Sequence, residues 1–194
     1  CHSRHGLYLK GWDGFILDNW FSGNRGWGIY ACDGPHNAAV TSTGNRVEWN
    51  HAGGFAMRNA VHWNITGNYF DRSGGPSVAI LEANNPDNPH NYNLTVTGNI
   101  FNRSGAGFGQ ELEEKYLCHM LVEDTYNLTC MGNTMLIGVD DFGGGNLSPL
   151  YGYVLDRLAR SEIRGTVGDR GCVKQPVWDK GGHGQGFVLE SGNI

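Results

Sequence analysis

A short segment centred on an asparagine recurs along the chain and constrains the fold more than any other feature. In most copies a glycine precedes the asparagine, and an apolar residue stands two positions after it. The segments align without gaps: Ile16–Phe21, Ser42–Val47, Ile65–Phe70, Val96–Phe101 and Cys130–Met135. Their asparagines are Asn19, Asn45, Asn68, Asn99 and Asn133, at spacings of 26, 23, 31 and 34 residues. One register with unequal spacing predicts a stack of similar units joined by loops of different length.

A second apolar segment of three residues precedes each of these copies. It occurs as Leu7–Leu9, Ile29–Ala31, Phe55–Met57, Val78–Ile80, Met120–Val122, Tyr153–Leu155 and Phe187–Leu189. Segments of this length are strand-like, and each unit alone buries too little apolar surface to fold. The 31 glycines and 19 asparagines among 194 residues favour turns over long helices. We therefore expect short strands stacked into coils.

These segments resemble the right-handed parallel β-helix of the pectate-lyase-like superfamily, which includes polysaccharide lyases, glycoside hydrolases and phage tailspike-like proteins. The resemblance implies an all-β, single-stranded helix of about six to seven coils, with the five asparagines stacked as a ladder. A β-sandwich is the alternative, but its strands need not repeat as closely as Gly67–Gly74 and Gly98–Gly105 do. We expect residues 1–194 to form one domain, a fragment or processed part of a longer chain.

Charge and motifs exclude several classes of function. A net charge of −5 with 14 Lys and Arg residues disfavours nucleic acid as a partner. The chain has no apolar run of the roughly 20 residues that a membrane span needs. Its five cysteines lack zinc-binding spacing, and the common nucleotide and metalloprotease signatures are absent, so we expect no metal site and no cofactor.

Charged residues follow the second set of segments and define a candidate site. If the coils stack, the next residues form one row: Lys10, Cys32, Arg58, Leu81, Glu123, Asp156 and Glu190. The residues after those form a neighbouring row: Gly11, Asp33, Asn59, Glu82, Asp124, Arg157 and Ser191. Extra residues at 83–92, 110–118 and 140–151 flank these rows and predict the walls of a groove. Acidic side chains beside aromatic rings suit the binding of sugars.

Glycoside hydrolysis requires two carboxyl groups, one of which donates a proton. We predict Glu82 as the proton donor, because burial against Leu81 and Ala83 would raise its pKa. Asp124 is the expected charged partner, and Asp156 is a further catalytic candidate. The predicted substrate-binding residues are Arg58, Glu123, Tyr92, Tyr116, Tyr151 and Arg157.

Two other functions remain open on the sequence. A polysaccharide lyase needs a base and a group that neutralises the uronate carboxylate, and calcium is the cofactor expected in that case. A non-catalytic shaft, adhesin or glycan-binding segment of a phage tail or cell-surface protein would share the repeats, with the acidic groups serving only solubility. In each case we expect a poly- or oligosaccharide partner, an extracellular or virion-associated location, and a homotrimer as the assembly.

Overall fold

The computed structural model describes residues 4–107, 111–137, 148–169 and 172–190. Its strands lie in three stacks of parallel strands. The first stack contains β1 (Leu7–Tyr8), β4 (Trp27–Ala31), β7 (Gly53–Met57), β11 (Val78–Ile80), the start of β14 (Cys118–Met131), the start of β16 (Tyr151–Ala159) and β19 (Gln175–Asp179). The second contains β2 (Trp12–Leu17), β5 (Asn37–Thr43), β8 (Ala60–Val61), β9 (Asn64–Thr66), β12 (Asn91–Thr97), the ends of β14 and β16, β17 (Glu162–Arg164) and β20 (Val188–Leu189). The third contains β3 (Trp20–Ser22), β6 (Arg46–Glu48), β10 (Tyr69–Asp71), β13 (Ile100–Asn102), β15 (Thr134–Leu136) and β18 (Val167–Asp169).

The chain visits the three stacks in turn, so each circuit forms one coil of a β-helix. Strands β14 and β16 run without a break from the first stack into the second. These two stacks consequently share one hydrogen-bonded sheet of 14 strands, while the third is a separate sheet of six strands. A short 3₁₀ helix, Glu114–Tyr116, precedes β14. The prediction of an all-β fold of stacked coils is confirmed.

The predicted asparagine ladder lies between the second and third stacks. Each side-chain amide donates to the amide oxygen of the next asparagine, at 3.2, 2.9, 3.1 and 3.1 Å from Asn19 through to Asn133. Each of those oxygens also accepts the backbone N–H of the preceding asparagine. The turn needs a left-handed residue before the asparagine, and Gly67 and Gly98 supply it at φ of 65° and 62°.

A continuous apolar core lies inside the coils. Residues two positions after the ladder asparagines pair in register from coil to coil. They are Phe21, Val47, Phe70, Phe101 and Met135, of which the last four are fully buried and Phe21 is partly buried. These residues therefore form one column of the core. Cys130 is also fully buried.

The seventh segment of the first stack was predicted wrongly. Val177–Asp179, and not Phe187–Leu189, pairs with Tyr153–Leu155 of the previous coil. Val188 and Leu189 lie in the second stack, where Leu189 pairs with Ile163. Short apolar alternation is common to both stacks, so the pattern alone did not distinguish them. Lys180 therefore follows Asp156 in the row, in place of Glu190, while Ser191 lies outside the described residues.

Candidate functional site

The corner between the first and second stacks brings the predicted charged residues together. Ile80, Val122 and Leu155 pair in register on β11, β14 and β16. The residues that follow them are consequently aligned on three adjacent coils, first Leu81, Glu123 and Asp156, then Glu82, Asp124 and Arg157. The corner turns through left-handed backbone at Asp124 and Arg157, with φ of 44° and 55°. The sheet register thus sets the positions of these side chains.

Asn91 fixes this corner from inside. Its side-chain amide donates to the carbonyl oxygens of Leu81, Glu123 and Asp124 at 3.0, 3.2 and 3.3 Å. Asn91 is completely buried. These three bonds satisfy carbonyl groups that the bend removes from the regular strand ladder. Sequence analysis missed this role, although Asn91 is the first residue of β12, on the same coil as Glu82.

One guanidinium group joins the three predicted catalytic acids. Arg157 Nε donates to Asp124 Oδ1 at 2.7 Å, and Nη1 donates to Asp156 Oδ2 at 2.7 Å. Arg157 Nη2 lies 3.2 Å from both Asp124 Oδ2 and Glu82 Oε1. The hydrogen bond with Asp124 and the nearby negative charges raise the pKa of Arg157 further above its usual value, against a smaller opposing effect of burial. We call Glu82, Asp124, Asp156 and Arg157 the carboxylate cluster.

The acids of the carboxylate cluster differ in exposure. Glu82 has 63% of its side chain exposed, whereas Asp124 and Asp156 have 11% each. The expectation that Leu81 and Ala83 bury Glu82 was wrong. The Leu81 side chain packs into an apolar cluster with Leu121 and Val154 on the outer side of the first stack, so it does not shield the neighbouring acid.

Two lysines supply further positive charge around the cluster. Lys180 Nζ lies 3.4 Å from Asp156 Oδ2, on the coil after Arg157. Lys115 Nζ lies 3.0 Å from Glu123 Oε1. Burial lowers the pKa of Lys115, but the hydrogen bond and charge of Glu123 outweigh it and leave that pKa raised. Sequence analysis missed Lys180 because the seventh segment was assigned to the wrong strand.

Glu123, predicted to bind substrate, has an internal position. It is 4% exposed, and its Oε2 atom accepts the backbone N–H of Glu82 at 3.1 Å. With Lys115 on its other oxygen, Glu123 connects the segment before β14 to the coil that carries Glu82. The structure therefore gives Glu123 the contacts of a residue that positions Glu82.

The three predicted aromatic residues lie in different surroundings. Tyr116 is half-buried near the cluster, with Lys115 Nζ 5.1 Å from its ring centre. Tyr92 lies past the corner on the second stack, where its ring is 5.8 Å from that of Tyr126. Tyr151 is 2% exposed and packs against Trp178 with the ring centres 5.0 Å apart. Because Tyr151 lies five residues before Asp156 on β16, roughly 16 Å separate the two along the sheet, and Tyr151 does not reach the cluster.

Arg58 lies one coil before Glu82 along the same corner. It lines an open cavity of about 350 Å³ together with Cys32, Asp33 and the amides of Asn59 and Asn84. Among the residues that the structure describes, no acceptor contacts its buried Nε atom. This part of the face thus presents a positive group beside the carboxylate cluster.

The predicted walls of the groove are partly described. Residues 83–92 follow Glu82, and a bridge between Asn85 and Asn88 closes this segment on itself. Of the wall at 110–118, residues 111–118 are described and include the 3₁₀ helix. Most of the third, residues 140–147, lies outside the described residues.

Within the described ranges, no group of three His, Cys, Asp or Glu side chains is arranged to hold a metal ion. No helix in the described part of the chain is long and apolar enough to cross a membrane.

The stacked parallel coils and their asparagine ladder define the class of protein as a parallel β-helix. Residues 1–134, more than half of the chain, match the family described as right handed beta helix region, and the chain belongs to that family. The predicted handedness is thereby confirmed.

Solved structures with the same fold include two carbohydrate-processing enzymes. DFA-IIIase from Arthrobacter chlorophenolicus A6 without its lid is 20% identical with a TM-score of 0.68, over 96% of this chain and 45% of that one. Alginate lyase from Paenibacillus sp. str. FPU-7 is 10% identical with a TM-score of 0.54, over 98% of this chain and 91% of that one. The chain spans less than half of the DFA-IIIase. At these identities the likeness shows the shared fold.

Proposed function

We propose that this protein is a carbohydrate-active enzyme that binds a poly- or oligosaccharide along the corner of its first stack and hydrolyses a glycosidic bond there. The observation that carries the proposal is the convergence of Glu82, Asp124 and Asp156 on the Arg157 guanidinium. Glycoside hydrolysis needs paired carboxyl groups at an accessible face. The similarity in fold to a DFA-IIIase and an alginate lyase supports a carbohydrate substrate.

The spacing of Glu82 and Asp124 favours retention of configuration at the sugar carbon. Glu82 Oε1 and Asp124 Oδ2 each lie 3.2 Å from Arg157 Nη2, so these two oxygens are at most twice 3.2 Å, or 6.4 Å, apart. Retaining glycosidases place their carboxyl groups about 5–5.5 Å apart, while inverting enzymes need roughly 6.5–9.5 Å for an intervening water. For this pair of oxygens the upper limit of 6.4 Å lies just below the inverting range.

The two acids have positions that fit different roles. Glu82, the exposed one, can reach the leaving-group oxygen and give it a proton while the glycosidic bond breaks. Asp124, held by two bonds from Arg157, would attack the sugar carbon and form a glycosyl ester. Glu82 would then remove a proton from water as that water attacks the sugar carbon and releases Asp124. Asp156 contacts Arg157 and Lys180 and would hold the guanidinium in place.

The test compares Glu82→Gln and Asp124→Asn with the parent protein on a broad panel of plant, algal and bacterial polysaccharides. Glu162→Gln is a matched control, because Glu162 pairs with Arg164 on the second stack, away from the cluster. New reducing ends report cleavage, and absorbance near 235 nm reports the unsaturated product of a lyase. We expect each cluster variant to lose about 10²- to 10⁴-fold in kcat with unchanged thermal unfolding. The control should retain the parent activity.

Each other outcome has a defined meaning. Parent-like rates in both cluster variants would eliminate Glu82 and Asp124 as the catalytic pair. Absorbance near 235 nm would show that the enzyme cleaves by elimination and not by hydrolysis. Calcium is the predicted cofactor in that case. A parent that cleaves no member of the panel would favour the shaft or adhesin. The extracellular or virion-associated location and the homotrimer remain predictions.

A further inference from the structure

Arg58 differs from Arg157, the arginine of the carboxylate cluster, in its lack of a partner. Within the described residues its guanidinium makes no ion pair or hydrogen bond, and its Nε atom is buried without an acceptor. Arg157, one row and three coils further on, contacts three carboxylates. A buried donor with no acceptor costs free energy, and native structures rarely leave one without a functional reason.

Arg58 forms no ion pair with the described residues that surround it. In its own row it lies between Cys32 and Leu81, both almost fully buried. Burial raises the pKa of the Cys32 thiol to about 12, with a smaller opposing effect of Arg58, so this neighbour is uncharged at neutral pH. Among the described residues lining the cavity Asp33 is the one acid; the hydrogen bonds that it accepts from Tyr8 and Tyr30, at 2.7 and 3.3 Å, hold its pKa below the usual value, and it makes no ion pair with Arg58.

Three side-chain amides held in fixed positions also line the cavity. Asn59 Nδ2 donates to Asn84 Oδ1 at 2.8 Å, and the Asn84 backbone N–H donates to Asn59 Oδ1 at 3.0 Å. Asn85 Nδ2 donates to the Pro35 carbonyl at 2.9 Å. The cavity is therefore polar and preorganised, with Arg58 as its unpaired cation. Such a site suits a small planar or tetrahedral anion carried on a polar ligand.

We infer that the Arg58 cavity binds an anionic substituent of a sugar unit next to the one cleaved, so that the substrate is an acidic glycan. The inference rests on the proposed function, because Arg58 lies one coil, roughly 4.8 Å, from the coil of Glu82. A uronate carboxylate and a sulfate ester share the chemistry that an unpaired guanidinium recognises. A single glycan lying along the corner would then contact both the cavity and the carboxylate cluster.

The experiment measures binding separately from cleavage, using calorimetry on the Glu82→Gln variant at low salt. The probes are trimers of galacturonate, glucuronate, mannuronate and guluronate, each compared with its methyl ester, and a sulfated galactan oligosaccharide compared with its desulfated form. We expect one anionic probe to bind at least tenfold more tightly than its neutral counterpart. The preferred pair identifies a carboxylate or a sulfate, and the preference should weaken in high salt.

Arg58→Gln should abolish that preference by lowering affinity for the anionic probe about tenfold to hundredfold, while Arg58→Lys retains part of it. Arg46→Gln is the control, because Arg46 is exposed on the third stack and pairs with Glu48. Thermal unfolding of Arg58→Gln should not move downward, since the parent leaves this donor unsatisfied. A drop would assign Arg58 a structural role.

Two results would overturn the inference in distinguishable ways. Equal affinity for charged and neutral probes, with cleavage that still depends on Glu82, would reject the acidic substrate and leave the proposed hydrolase in place. No binding of any probe together with no cleavage in the polysaccharide panel would reject both.

Discussion

Phe70 shows how single side chains hold the coils together. It is fully buried, and its ring lies 5.5 Å from that of Phe101 on the next coil. We predict that Phe70→Ala lowers the free energy of unfolding by about 3–5 kcal/mol, the usual cost of removing a buried aromatic ring. Urea denaturation measures this cost.

Ile100→Ala provides the comparison for Phe70→Ala. Ile100 pairs with Tyr69, the residue before Phe70, so it faces outward, and it is 39% exposed. We expect this variant to lose less than about 1 kcal/mol. Equal losses of unfolding free energy in the two variants would contradict the assignment of inward-facing and outward-facing residues. The position of the carboxylate cluster depends on that assignment.

At the same scale, the sequence predicted which acids converge but not how exposed each one is. Convergence of Glu82 with Asp124 follows from counting residues after paired strands. The exposure of Glu82 depends on whether Leu81 turns towards it or towards Leu121, and spacing carries no information on that choice. Burial of Tyr151 likewise depends on Trp178, a residue on the following coil.

The asparagine ladder is the element whose loss should affect the stack most broadly. Asn68 accepts from the backbone and side chain of Asn45 and donates to Asn99 and to the Ser42 carbonyl. Asn68→Ala would leave several buried groups unsatisfied, and we predict a loss of about 3 kcal/mol in urea denaturation.

Asn19→Ala tests the same element at its exposed end. Asn19 is exposed and donates to Asn45 and the Leu17 carbonyl. We expect a loss of about 1 kcal/mol, because water can replace these partners. Equal effects at Asn19 and Asn68 would show that the ladder is not a buried, mutually satisfied network.

Element positions were predictable wherever an asparagine fixed the register. The five ladder copies gave the third stack and the core column directly. The last of the five ladder asparagines is Asn133, and Phe187–Leu189, far beyond it, was assigned to the first stack although it belongs to the second. Val177–Asp179 contains a tryptophan and follows a proline, so it departs from the earlier copies and was missed.

At the scale of the whole molecule, parallel stacking aligns a cavity and a carboxylate cluster along one corner. Arg58 and Glu82 lie on neighbouring coils, and Asp124 and Arg157 continue the same line. A linear glycan lying along the helix axis would meet these groups in order. This arrangement explains why the charged residues are far apart in sequence yet adjacent in space.

The stereochemistry of the product tests the central claim most directly. Proton NMR, recorded within minutes of adding the protein to a substrate that it cleaves, reports the configuration of the newly formed reducing end before it equilibrates. The spacing of Glu82 and Asp124 predicts that this end has the configuration of the original glycosidic bond. An inverted product, or an unsaturated sugar, would contradict hydrolysis by this pair of carboxyl groups.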